Sequence, residues 1–117
     1  MIDPKELRIG NLLQSNEVVV SILEIDKDLI GCRNPHVDYL YSPSALSPIP
    51  LTEEWLRARK LPISFDFGNN FSCYCRGNVV EIEQYGEGCE ELPHIKYVHQ
   101  WQNIHYLLIG QELTIRQ

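Results

Sequence analysis

Residues 95–110, IKYVHQWQNIHYLLIG, limit what this chain can fold into more than any other stretch, because they join helical periodicity to enough apolar bulk to roof a sheet. At about 100° per residue, Tyr97, Val98, Trp101, Ile104, His105, Leu108 and Ile109 fall on one arc. His99, Gln100, Asn103 and Tyr106 fall opposite, and Leu107 alone breaks the pattern. Gly110 sits where a left-handed C′ residue stops a helix. The spacing predicts a helix over about residues 96–109 with its apolar arc turned to a sheet.

The chain before it supplies the strands. A helical turn at 4–7 is followed by RIGNLLQ, EVVVSILEID and DLIGCR, in which Val18, Val20 and Ile22 share one face and Val19, Leu23 and Ile25 largely the other. Gly10-Asn11 and Asp26-Lys27-Asp28 carry turn chemistry. In HVDYLY at 36–41, Val37, Tyr39 and Tyr41 alternate with Asp38 and Leu40. Pro43, Pro48 and Pro50 then forbid a regular ladder, so 42–50 reads as a connector. About four short strands closed by a proline-rich return suit a small SH3-like barrel, and the same periodicity suits an open meander.

Residues 52–60 predict a short helix. Thr52 is the N-cap, Glu53 and Glu54 complement the helix dipole at one end, and Arg57, Arg59 and Lys60 complement it at the other. Leu51 and Leu56 have the spacing of a hydrophobic staple, and Leu61-Pro62 ends the helix. Beyond it the period is two: Ile63, Phe65 and Phe67, a turn at 68–70, then Phe71, Cys73 and Cys75, a turn at Gly77-Asn78, then Val80 and Ile82. Glu81, Glu83, Glu87, Glu90 and Glu91 give this antiparallel meander an acidic outer surface, and 112–115 suits a last short strand. The fold class expected is α+β in a single domain over 1–117: a β-rich half, 1–50, and a half of helix, β-meander and covering helix, 51–117.

The 117 residues carry a formal charge of −6, which disfavours a partner held mainly by phosphate contacts. There is no basic leader with an apolar core, and no apolar run near the ~20 residues that cross a bilayer, so a cytoplasmic or virion location without membrane contact is expected. The four cysteines are then expected as thiols. Cys32, Cys73, Cys75 and Cys89 with His36, His94, His99 and His105 outnumber the ligands of a zinc site, but Cys73-x-Cys75, Cys32-x3-His36 and Cys89-x4-His94 have the wrong spacing, and Cys73 and Cys75 read as small buried side chains. Cys89 near His94 or His99 could be drawn as a nucleophile and base, yet nucleophile elbow, phosphate loop and metalloprotease histidine pair are all missing. No enzymatic activity and no cofactor are expected.

Two clusters suit binding. Tyr39 and Tyr41 could stack on bases or on a protein, and the stripe His99, Asn103, Tyr106 could meet a partner, form a solvated face or bond to a neighbouring loop. His105, inside the apolar arc, reads as a core histidine.

Three motifs, ELRIGN at 6–11, PIPLTEEWL at 48–56 and YVHQWQNIHYLLIGQELTI at 97–115, resemble a group of small uncharacterised proteins encoded by phages and prophages of Bacteroidales bacteria. Trp101 and His105 stand where members of the group tend to have leucine and tyrosine. The resemblance implies no catalytic residues. It implies a phage setting, which favours a non-catalytic accessory protein that contacts a host or virion protein; the contacts expected from the aromatic and polar clusters themselves are Tyr39, Tyr41, His99, Asn103 and Tyr106. The competing readings are a nucleic-acid-binding small barrel and an acidic DNA mimic built on residues 81–91.

Overall fold

The computed structural model describes residues 4–26, 28–34, 37–68 and 70–110. Lys27, His36, Asn69 and the strand expected at 112–115 lie outside them. Among the described residues the architecture is α+β, with two antiparallel four-stranded sheets and two α-helices. The first sheet is β1 (Leu12–Ser15), β2 (Val18–Ile25), β3 (Ile30–Asn34) and β4 (Val37–Tyr41). Helix α1 (Glu53–Ala58) leads to the second sheet, β5 (Ser64–Asp66), β6 (Phe71–Arg76), β7 (Val79–Gln84) and β8 (Gly88–Glu91), and α2 (Val98–Ile109) follows. Both sheets are meanders in which every strand pairs with its neighbours in sequence. Among the described residues no helix is long and apolar enough to cross a membrane.

The chain divides into two compact units. One comprises the described residues up to Ile49 with Tyr97–Asn103; the other comprises Pro50–Lys96 with those from Ile104 onward. Residues of α2 belong to both units, Tyr97–Asn103 to the first and those from Ile104 to the second, which periodicity along one stretch could not reveal.

In the first unit, β1 and β2 are joined by a two-residue turn whose members, Asn16 and Glu17, have φ of 48° and 68°. Two left-handed residues give a hairpin turn the right-handed twist its strands need. Inward residues Leu13, Val20, Ile22, Ile30 and Cys32 form the core with Leu7 and Leu46, and Tyr41 packs against it. Each such aliphatic side chain contributes roughly 1.5–3 kcal/mol by leaving water. Between Ile22 and Glu24 the register to β3 slips, so Leu23 is an extra, exposed residue. The outer edge of β1 is covered: Gln14 and Ser47 exchange N–H···O bonds of 3.0 and 2.8 Å. Among the described residues no pairing of β4 with a further strand closes this sheet, so of the two expected arrangements the meander is the one found.

In the second unit, Thr52 caps α1 as expected, its Oγ1 accepting the Trp55 N–H at 3.0 Å. Leu51 and Leu56 are buried beneath. The helix stops for a reason other than Pro62. Lys60 turns left-handed at φ 58°, the Leu61 N–H bonds back to the Leu56 carbonyl (2.9 Å) and the Lys60 N–H to that of Arg57 (3.1 Å). That is a Schellman ending, built on lysine where glycine is usual. In β6, Cys73 and Cys75 are buried as expected, and Tyr74 on the opposite face is shielded by Arg76, whose guanidinium lies 4.5 Å from the ring centroid. The ring of Phe65 meets His105 edge-on, 4.9 Å between centroids, which places His105 inside as its position on the apolar arc predicts. Gly110, at φ 81°, ends α2 with its N–H on the Tyr106 carbonyl at 2.8 Å.

Candidate functional site

The five binding candidates fall in three different environments. Tyr39 is half exposed on β4, beside the partly buried Tyr41, with the rings edge-on at 6.2 Å. The Tyr41 hydroxyl accepts from Asn34 Nδ2 at 3.3 Å, which fixes the ring. Tyr106 is exposed and belongs to the second unit. His99 and Asn103 belong to the first, and neither forms a solvated stripe.

His99 is the clearest correction. Helical spacing sets it opposite the apolar arc, yet it is 1% exposed, like Val98, Trp101 and Gln102 around it. The first turn and a half of α2 is covered over more than one face, so an arc drawn for a one-sided helix misplaces it. Neither ring nitrogen has a hydrogen-bond partner. The imidazole stacks on Tyr97, 6.0 Å between centroids and 8° between planes, and Nε2 lies 3.9 Å from Glu6 Oε2. Burial pushes the His99 pKa below the usual imidazole value, and the Glu6 carboxylate pulls only weakly the other way. Near neutral pH the ring is an uncharged, buried wedge.

Asn103 is occupied by the fold. Its Oδ1 accepts from Asn11 Nδ2 at 2.9 Å and Arg8 Nη1 at 3.3 Å, and its Nδ2 donates to the Glu6 carbonyl at 2.9 Å. Asn11 Oδ1 in turn accepts the Arg8 N–H at 2.7 Å. Gln102, which the sequence did not single out, does similar work: Oε1 accepts the Leu12 N–H at 2.8 Å and Nε2 donates to the Gly10 carbonyl at 3.0 Å. The available signal was its place one turn after Val98 on the buried side. A glutamine there must find backbone partners.

Among the described residues the cysteines fall into two environments. Burial raises the Cys32, Cys73 and Cys75 thiols to about 11, so they stay protonated and unreactive in the native fold. Cys89 is exposed on β8, but its neighbour is a phenol: Tyr74 Oη lies 3.1 Å from its Sγ and 3.2 Å from Glu81 Oε2. With the phenol donating to the carboxylate, the thiol donates to the phenol oxygen. Such a chain ends on a carboxylate and supplies no imidazole base. Among the described residues no group of three or more His, Cys, Asp and Glu could hold a metal ion. The basic cluster is also committed locally, Arg57 to Glu53 at 3.0 Å and Arg59 over the Trp55 ring at 5.1 Å.

The surface of the first unit exposes Ile9, Val18, Leu23, Ile25 and Leu29, and β4. Val37, Tyr39 and Leu40 are 51%, 51% and 67% exposed, and its one charge, Asp38, bonds to Arg33 Nε at 3.1 Å. The sequence flagged the tyrosines for their alternation but not Val37 or Leu40, because nothing in HVDYLY says that it forms the edge of the sheet among the described residues. In the second unit a groove of about 440 Å³ runs between the start of α1 and β7–β8, floored by Leu51, Val80, Leu92 and Ile95 with Glu91 and Lys96 at its rim. No protein-family model, no curated protein and no solved structure matches this chain.

Proposed function

We propose that this chain is a non-catalytic accessory protein that works by protein–protein contact, in the phage or prophage setting its motifs suggest, inside the bacterial host or on the virion. The observation that carries the reading is β4, an outer strand that turns Val37, Tyr39 and Leu40 to solvent while its only charge is neutralised by Arg33. Exposed apolar and aromatic residues grouped on one strand are what protein interfaces use as anchors. We read the first sheet as an SH3-like meander left open at this strand. Tyr39 and Tyr41 are its anchors; His99 and Asn103 support the fold beneath α2, and Tyr106 would serve a contact of the second unit alone.

The test is an affinity capture of tagged protein from bacterial host lysate, with and without nuclease, comparing the natural chain with a Tyr39→Ala/Tyr41→Ala variant. A protein that survives nuclease and is lost in the variant supports the reading. Recovery of nucleic acid, or of partners lost with nuclease, would replace it with a nucleic-acid reader. A second reading has one observation of its own: Glu81 and Glu91 face each other across β7 and β8, with Glu83 two residues on, so one face of the second sheet carries a carboxylate row. A DNA mimic acting through that row would bind a DNA-processing protein in a manner that salt abolishes.

A further inference from the structure

The backbone of β4 can be followed one strand at a time. Ile22 donates its N–H to the Asn11 carbonyl at 2.9 Å and accepts from the Gly10 N–H at 2.8 Å, so its peptide groups point to the β1 side. Cys32, opposite Ile22 on β3, therefore sends its own N–H and C=O toward β4, where it faces Tyr39. Tyr39 is bonded into the sheet. Asp38 and Leu40, its neighbours on either side, point their N–H and C=O groups out of the sheet edge.

Sheet edges normally carry something that discourages another strand. Here β1 is bridged by Ser47, β5 spans three residues, and β8 carries Glu90 and Glu91 side by side. Of the edge strands among the described residues, only β4 is five residues long, with an apolar side chain on each face, no lysine or proline, and its one charge paired to Arg33.

We propose that β4 pairs edge to edge with β4 of a second copy of this chain, antiparallel about a two-fold axis through Tyr39. The inference rests on the reading of β4 as a protein-binding strand and names its occupant. The argument is self-complementarity. About that axis Asp38 lies opposite Leu40 of the second copy, and those are the residues whose N–H and C=O groups point outward, so the backbone bonds form in matched pairs. Tyr39 meets Tyr39 in the close, non-hydrogen-bonded position, and Val37 meets Tyr41, giving an apolar row along one face. Each Asp38 meets a leucine rather than a second carboxylate, and keeps its own Arg33. The pairing would join two four-stranded meanders into one continuous sheet. Two copies of net charge −6 repel at long range, so added salt strengthens the association.

The test is sedimentation of the full chain over a dilution series from about 1 µM to about 1 mM, the range in which small interfaces associate. A rise from one to two chain masses is expected, more complete in 0.5 M salt. Leu40→Pro removes an outward N–H in each copy and leaves the β3 ladder untouched, and edge strands tolerate proline there. It is expected to weaken association tenfold or more with an unchanged circular dichroism spectrum. Should that variant misfold, Tyr39→Lys sets two lysines opposite each other and gives a monomer, and mixing it with a Tyr39→Glu copy restores a dimer. A dimer that survives Leu40→Pro, or whose Tyr39→Lys and Tyr39→Glu copies do not recombine, overturns the proposal. A monomer at 1 mM also overturns it. In that case a host protein captured by the natural chain and lost in Leu40→Pro keeps β4 as a binding strand for another partner, whereas capture unchanged by Leu40→Pro, Tyr39→Ala and Tyr41→Ala defeats that broader reading as well.

Discussion

His99 Nε2 lies 3.9 Å from Glu6 Oε2, yet the imidazole is buried without a hydrogen bond while the Glu6 side chain is mostly in solvent. The pair is too long for a hydrogen bond and too wet at one end for a strong ion pair. Desolvation therefore governs His99.

A histidine whose folded pKa is depressed binds protons more readily in the unfolded chain. Stability is then fully present above the unfolded value near 6.5 and declines as pH falls below it, toward the folded pKa. Each unit of depression is worth about 1.4 kcal/mol. Thermal melts between pH 7.5 and 5 are expected to show falling Tm with acidification. His99→Phe, which keeps a flat ring and removes both orphaned nitrogens, should flatten that dependence and leave stability at pH 7.5 equal or higher. A Tm that is flat over this window in the natural chain, or equally sloped in the variant, would count against the assignment.

Gln102 satisfies two backbone groups of the first sheet at once. Gln102→Leu keeps the volume and orphans the buried Leu12 N–H and the Gly10 carbonyl. The expected loss is about 1–3 kcal/mol by urea denaturation, because an unsatisfied buried group costs its full desolvation. Gln102→Glu, which preserves the acceptor for Leu12 but not the donor for Gly10, is expected to lie no closer to the natural chain, since it adds a buried charge.

Lys60 holds φ 58° at the end of α1. A side chain in that region costs about 1 kcal/mol that glycine does not incur. Lys60→Gly should raise stability by about that amount, whereas Lys60→Ala, with its Cβ retained, should change it little. Paired unfolding curves of the two variants read the difference directly.

The cysteines divide by burial. Native protein treated with a thiol-alkylating reagent at pH 7.5 is expected to gain one adduct, at Cys89, by mass spectrometry. Cys32, Cys73 and Cys75, with thiols raised to about 11, should react only after unfolding. Fast labelling of Cys73 or Cys75 in the native protein would mean that β6 opens.

Much of the fold was legible locally. Thr52 as cap, the alternation around Val20 and Ile22, the Gly110 stop and His105 on the inner arc all follow from spacing and short-range chemistry, and each appears where the pattern puts it. The misplaced elements depend on what lies across from them. His99 was assigned to the outside because periodicity describes a helix buried on one side, and the start of α2 is buried on more. Asn103 and Gln102 find partners more than 90 positions away or close to it, at Glu6, Asn11 and Gly10, which no window of sequence brings together. The Schellman ending at Lys60 was hidden because lysine is not the residue that usually marks it. For the candidate surface, Tyr39 and Tyr41 could be named, but their setting on the edge strand of a sheet could not.

The bond from Leu12 to Gln102 spans 90 positions. A ribosome adding ~5–20 residues per second needs roughly 5–20 s to cover that distance, and through all of it the first hairpin lacks the side chains that complete it. The N-terminal unit is therefore completed only once α2 has been made. A chain interrupted anywhere before Gln102 should lose not only its missing end but the protection of its beginning, and should be degraded from a sheet whose own residues are all present.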